Sequence, residues 1–396
     1  MGQVQGVDRV RRYVPCLEGI RGYGFLLVFC GHYFLASRLA HPGTFRLRFL
    51  TALSSLGLIA VPAFFVLSGY LIGGILYDTR NREGYFRVFY TRRVLRVFPV
   101  YYVTLLAIAA FYAIRGISAN YLFWTHFLYI QNLFPGYAHR PGGPVSLIHF
   151  WSLAVEEQFY LLWPLVVWLF PDRRKLIGVA TTVIAFCCAV RLAAPLIASS
   201  PKAIVWFTPT RVDAILLGVL LALIREDAFY DRIKPFAKWV TLSGLVTVIL
   251  LAMENGEAWS RTYVGEEILI PLVNLTALAV VIAVMEEGSL LNRACSQRWV
   301  CWLGSLSYSL YVFHLTYYSF FMDWLAPRLS LHMRQSFAIL ISGTLALALT
   351  LLLSMLSYRL IEGPIMNLKR HMRYGVAHQP NTNQDLRKPV LAQSST

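Results

Sequence analysis

The sequence predicts an all-α, polytopic integral membrane protein with about ten transmembrane helices and both termini in the cytoplasm. Three observations predict it. Apolar residues make up 57% of the 396 residues and charged residues only 14%, against about 45–50% and about 25% in soluble domains. Apolar stretches of about 20 residues, the length a helix needs to cross a bilayer, recur along the chain. Most Lys and Arg fall in one set of alternate connecting segments, the bias that keeps a loop on the cytoplasmic side. The composition excludes disorder over most of the length. The net charge of +16 is a poor nucleic-acid footprint, because basic clusters alternate with apolar spans and form no single face.

The spans can be taken in order. The first, 18–37, carries Arg21 and His32 and has no small-residue cleavage site, so it is expected to be retained and not removed as a signal. The second, 50–77, is interrupted over 62–77 by Pro62, Gly69, Gly73 and Gly74. Such residues either let two backbones approach closely or leave a non-helical stretch lining a cavity. The third, 94–114, opens within the basic run that contains Arg92, Arg93 and Arg96. The fourth, 149–170, opens on two adjacent glutamates. Then come 177–198 and a short sixth span, 210–225, followed by 236–253, 266–285, 299–321 and 335–360. The ten-residue alternation of an outer-membrane barrel is not seen. Residues 1–374 are expected to form one membrane-embedded domain. The polar, aperiodic segment 375–396 is expected to be a disordered cytoplasmic tail. The six cysteines show neither CxxC nor Cys/His metal spacing, and no metal site is expected.

Charged groups inside a membrane are costly and are functional suspects by default. Arg21 and His32 are eleven residues apart, about three turns, so one helix face carries both, roughly 16 Å apart along the axis. They cannot pair directly on a straight helix, but they can hold two parts of one long substrate. A snorkelling Arg with a His bonded between helices is the simpler alternative. At the start of the fourth span, Glu156 and Glu157 point 100° apart, while Ser152, Glu156 and Tyr160 share a face at i, i+4 and i+8. A carboxylate bonded to an imidazole N–H fixes its tautomer and improves it as a base. Arg93 and Arg96, at i and i+3, can reach one ligand, and guanidinium forks suit phosphates. The same run also reads as a positive-inside anchor on lipid headgroups. Ser68, in Phe64-Phe65-Val66-Leu67-Ser68-Gly69-Tyr70, lacks a G-x-S-x-G context and an evident base.

These residues, taken together, resemble the acyltransferase-3 family of integral-membrane acyltransferases, over about Val14 to Met366. The R-x10-H signature is Arg21 to His32. The FFVLSGxLI stretch is 64–72, the RxxR pair is Arg93 and Arg96, and the SLxVEEQFYLLWP block is 152–164. Later blocks are Arg211-Val212-Asp213-Ala214, Leu303 to Tyr311 with Tyr308 followed by His314, and Tyr358-Arg359 with Glu362 and Pro364. The resemblance implies acetyl-CoA or another acyl-CoA as co-substrate and a carbohydrate or glycolipid hydroxyl as acceptor. It implies a multi-pass enzyme of a bacterial-type inner membrane. It implies His32 as the catalytic base or acyl relay, with Glu156 orienting it. Arg21, Arg93 and Arg96 would hold the CoA end, and Ser68, Ser152, Tyr160, Arg211, Tyr308 and His314 are candidates to line the site. Relatives that carry a fused SGNH esterase-like domain extend beyond the last span, where this sequence ends soon after it; no such domain is expected here.

The chemistry fits on its own terms. A thioester is already activated, so a base and good positioning are the main needs, and anionic CoA suits the arginines. The rival from another class is a transporter or flippase of a glycan precursor, since broken helices and buried charges also mark transporters. No motif repeats between the two halves of the sequence, and the candidate residues cluster in the first 160. An assembly factor for a glycan synthase would leave the Arg, His and Glu placement unexplained.

Overall fold

The computed structural model describes residues 14–35, 49, 52–53, 55–134, 145–197, 206–255, 263–368, 372 and 374–375. The tail expected to be disordered lies almost wholly outside these. Among the described residues the chain is helical and contains no sheet. The principal helices are α1 (Pro15–Cys30), α2 (Gly57–Thr79), α3 (Tyr85–Ile114), α4 (Phe150–Leu169), α5 (Arg173–Ile197), α6 (Val212–Ile224), α7 (Ala237–Asn255), α8 (Tyr263–Val284), α9 (Arg298–Ser305), α10 (Ser307–Phe313) and α11 (Gln335–Ser357). Five helical stretches are long and apolar enough to cross a membrane: Gly57–Thr79, Tyr85–Ile114, Arg173–Leu196, Ala228–Met253 and Gln335–Leu368. Their outward faces are apolar, with residues such as Leu106, Leu192 and Leu242 more than half exposed. A water-soluble protein rarely shows such contiguous apolar surface, and lipid is its natural solvent.

The second span differs from one of the two readings its small residues allowed. α2 is a continuous helix with Pro62 inside it. Its glycines serve close packing. A Cβ on Gly69 would lie 1.8 Å from the Ile215 carbonyl oxygen, and one on Gly218 would lie 2.0 Å from that of Val66. The backbones of α2 and α6 therefore touch, which is what small residues permit between membrane helices. The sixth span is short, as expected: α6 has 13 residues, about 20 Å of helix. Gly69→Ala is expected to destabilise the bundle by about 1–3 kcal/mol or more, the usual range for overpacking, because backbone atoms cannot move aside as a side chain can. A thermal unfolding midpoint in detergent equal to that of the wild type would refute this contact.

α5 and α6 are joined by a buried ion pair. Arg191 and Asp213, with side chains 2% and 4% exposed, meet at 2.8 Å. A second guanidinium nitrogen of Arg191 donates to the Thr210 carbonyl at 2.6 Å. Removing either partner would strand a buried charge, so the Asp213 of the sequence block is accounted for by packing.

The ninth predicted span is not one helix. α9 ends at Ser305, α10 ends at Phe313, a turn covers 314–317, and a π-helical segment runs over Ser319–Leu325. Four consecutive carbonyls around the break accept side-chain hydrogen bonds. The His314 ring donates to Tyr311 at 2.7 Å and the His149 ring to Val312 at 3.1 Å. The Thr316 hydroxyl donates to Phe313 at 2.8 Å and the Tyr33 hydroxyl to His314 at 2.6 Å. Irregular backbone at membrane depth is tolerated only where the protein satisfies it, and these four bonds do so.

Candidate active site

α1, α2, α3, α4 and α10 enclose a cavity of about 440 Å³. Arg21 comes from α1, Ser68 from α2, Arg93 and Arg96 from α3, Ser152, Glu156, Glu157 and Tyr160 from α4, and Tyr308 and Tyr311 from α10. Eight of the eleven residues singled out in the sequence therefore line one space, although they come from five segments. Helical periodicity explains the α4 contribution: Ser152, Glu156 and Tyr160 recur every four residues and face the same way.

The polar groups of the cavity are ordered. Ser68 donates to the Glu156 carboxylate at 2.6 Å, and Tyr160 donates to Ser68 Oγ at 3.1 Å. Arg21 pairs with Glu18 at 2.7 Å on its own helix. The Arg93 guanidinium lies 5.1 Å from the centre of the Tyr160 ring, within cation–π range. Neither Arg93 nor Arg96 is paired with a carboxylate among the described residues. Arg92, beside them in sequence, is engaged elsewhere: its Nε donates to the Met372 carbonyl at 3.0 Å. Tyr308 is fixed by donating to the Val97 carbonyl at 2.7 Å. The cavity thus offers two forked cations, a third held by a glutamate, and a hydrogen-bonded Ser–Glu–Tyr chain.

Three of the expected site residues, two lining candidates and the catalytic candidate His32, lie elsewhere. Arg211 caps α6 and its guanidinium sits 5.5 Å from the Trp151 ring, outside the cavity. His314 is fully buried behind Tyr311. His32 lies on a π-helical turn, Gly31–Leu35, that continues α1, and it does not line the cavity either. Its separation from Arg21 follows from the helix between them. The expectation that Glu156 orients His32 also needs correction. Glu156 is bonded to Ser68 in the cavity, and no hydrogen bond joins it to His32.

What neighbours His32 is a second histidine, and then a third. The rings of His32 and His314 are 5.6 Å apart, and those of His314 and His149 are 4.7 Å apart. Tyr311 connects this group to the cavity. Its ring is 5.2 Å from that of His314. Its hydroxyl is 2.6 Å from Ser152 Oγ and donates to the His149 carbonyl at 3.1 Å. His149 was not singled out in the sequence. The available signal was a histidine at the edge of an apolar run, three residues before Ser152.

A helical, lipid-facing bundle that encloses charged and hydroxyl side chains is a membrane protein with an internal reaction or transport site. The family is settled by comparison: residues 14–359 match the model of the acyltransferase domain, and the chain belongs to that family. It is 25% identical over 382 residues to the peptidoglycan O-acetyltransferase OatA of Listeria monocytogenes, covering 90% of this chain and 56% of that protein. It is 26% identical over 378 residues to the O-acetyltransferase OatA of Staphylococcus aureus, covering 89% and 57%. YrhL of Bacillus subtilis is 27% identical over 331 residues, 76% of this chain and 48% of YrhL. The chain spans about half the length of these curated relatives. No solved structure matches it.

Proposed function

We propose that this chain is a multi-pass membrane O-acyltransferase of a bacterial-type inner membrane. It moves an acyl group, acetyl first among the candidates, from acyl-CoA to a carbohydrate hydroxyl. The proposed acceptor is a cell-surface glycan or its lipid-linked precursor, with peptidoglycan favoured by the names of the relatives. The observation that carries the reading is the cavity in which Arg93 and Arg96 pair with no carboxylate among the described residues, with His32 reached from the wall residue Tyr311 through His314. The Lys/Arg bias supports about ten crossings and cytoplasmic termini.

In this reading Arg93 and Arg96, with Arg21 beside them, hold the phosphates of CoA. The pantetheine arm runs through the cavity toward Ser152 and Tyr311. His32 takes the proton of the acceptor hydroxyl as its oxygen attacks the thioester carbonyl. The C–O bond forms, the C–S bond breaks, and the proton ends on the departing CoA thiol. The distance between Arg21 and His32 suits a long donor whose reacting end is far from its charged end.

Purified protein in detergent, given radiolabelled acetyl-CoA with and without a cell-surface glycolipid extract and peptidoglycan fragments, tests this. Acceptor-dependent release of CoA supports it. A folded protein that neither binds nor turns over any acyl-CoA would favour a transporter. Arg93→Ala combined with Arg96→Ala is expected to raise the apparent KM for acetyl-CoA at least about tenfold, since each charge-assisted bond contributes about 1.5–3 kcal/mol. An effect confined to acceptor affinity would contradict the phosphate assignment.

A further inference from the structure

Among the described residues no ion pair joins His32 to a carboxylate, and its surroundings contain two imidazoles whose tautomers are both pinned. A carbonyl can only accept a hydrogen bond, so the proton positions follow from the partners. His314 Nδ1 lies 2.7 Å from the Tyr311 carbonyl and must carry the hydrogen, which leaves Nε2 with a bare lone pair. His149 Nε2 lies 3.1 Å from the Val312 carbonyl and must carry the hydrogen, which leaves Nδ1 bare. Both bare nitrogens, His314 Nε2 and His149 Nδ1, are buried without a hydrogen-bond partner. The two residues are 0% and 3% exposed. Buried polar groups are normally satisfied, and an exception calls for an explanation. The group is not a metal cluster, since no set of three His, Cys, Asp or Glu among the described residues could hold a metal ion.

We propose that the bare nitrogens of His314 and His149 form an acceptor pocket for the ring N–H of His32, with His314 the principal positioning residue. His314 receives that N–H directly or through one water, and His149 packs the His314 ring in place. The contact fixes His32 in the tautomer whose other nitrogen is free to face the acceptor hydroxyl. The usual base–carboxylate arrangement is here replaced by a base backed by a neutral imidazole. The assignment rests on the reading of His32 as the base. Three features carry it. The His32 and His314 rings are 5.6 Å apart, within the reach of a small ring rotation or a single bridging water. Both backing tautomers are set by backbone, so neither can rotate to offer an N–H instead. And the carboxylate that the sequence suggested for this role, Glu156, is bonded to Ser68.

Two substitutions separate the bare nitrogens from the structural bonds. Asparagine places its amide near the δ position, so His314→Asn keeps a donor for Tyr311 and deletes only the ε acceptor. Glutamine reaches the ε position, so His149→Gln keeps a donor for Val312 and deletes only the δ acceptor. His314→Gln restores an oxygen acceptor near ε. The full chain, labelled with 15N at the histidine rings and held in lipid nanodiscs, reports each tautomer by its ring nitrogen resonances. The His32 signals are identified by their loss in His32→Ala. One tautomer is expected in the wild type, a mixture in His314→Asn, a smaller shift the same way in His149→Gln, and recovery of the wild-type signature in His314→Gln. A mixture already present in the wild type overturns the proposal. So does an unchanged His32 signature in folded His314→Asn or, should that variant not fold, in His149→Gln. Turnover of acetyl-CoA with peptidoglycan fragments is read on the same samples. Loss of orientation is expected to lower kcat about tenfold or more, part of the roughly 10²–10⁴ a general base supplies, with KM for acetyl-CoA unchanged. A wild type with the expected resonances and no acyl-CoA turnover would defeat the enzymatic reading and leave the histidine arrangement standing.

Discussion

His32→Ala is expected to abolish acyl transfer while leaving the amount of folded protein in the membrane unchanged. The size of the effect follows from the chemistry: with a thioester donor, deprotonation of the acceptor hydroxyl is the main task left for a side chain, and general base catalysis contributes about 10²–10⁴ in rate. The lack of a folding penalty follows from the geometry. His32 sits on the π-helical turn after α1, it is only half-buried, and its ring contact is with His314. π-helical turns recur at functional sites because they re-aim a side chain at the expense of regular bonding. The measurement is product acetylation in membranes matched for protein content. Unchanged acetylation would remove His32 from the mechanism, and with it the acyltransferase assignment of this site.

Glu156→Gln is expected to lower turnover at least about 100-fold, the lower end of acid–base contributions. The substitution is informative because glutamine keeps an oxygen that can accept the Ser68 hydroxyl, now 2.6 Å away. Only the charge is removed. Glu156 stands one helical turn from Ser152, toward which the thioester end of the proposed donor runs, and Ser68 and Tyr160 continue its hydrogen bonds; in that reading the departing sulfur must gain a proton there. A reduction of tenfold or less, with normal acetyl-CoA affinity, would make Glu156 an anchor for α2 on α4 and nothing more.

Much of this site was legible before any coordinates. Charges and hydroxyls within apolar stretches stand out because membranes exclude them, so Arg21, Ser68, Arg93, Arg96 and Glu156 could be named, and the i, i+4 rule placed Ser152, Glu156 and Tyr160 on one face. The break in the ninth span was not legible. Residues 299–321 are as apolar as a continuous helix, and two of the carbonyls released at 311–314, those of Val312 and His314, are taken by His149 and Tyr33 from distant segments that periodicity cannot anticipate. His149 was missed for the same reason: its significance lies in its distance to His314 and to the Val312 carbonyl, 163 positions away. The glycines of α2 were ambiguous, because a packing glycine and a helix-breaking glycine read alike until Ile215 is seen against Gly69. Arg211 was misplaced because an arginine at a helix start serves a ring stack as readily as a ligand.

The carbonyls exposed by the broken ninth segment bear on how the molecule matures. Tyr33 reaches the His314 carbonyl across 281 positions of chain. Tyr311 and Ser152, which close the cavity, are joined across 159. Contacts of such long sequence separation are late events, since the intervening chain must be ordered before they form. Most of the candidate residues are synthesised within the first 160 positions, yet none of them can work as a set until the segment after residue 298 has been made and docked between them. The early helices are in this sense a vessel without its stopper. Reactivity arrives in one step near the end of synthesis, so a half-made chain holds its cations, its glutamate and His32 but has neither the α10 wall of the cavity nor the His314 imidazole behind it.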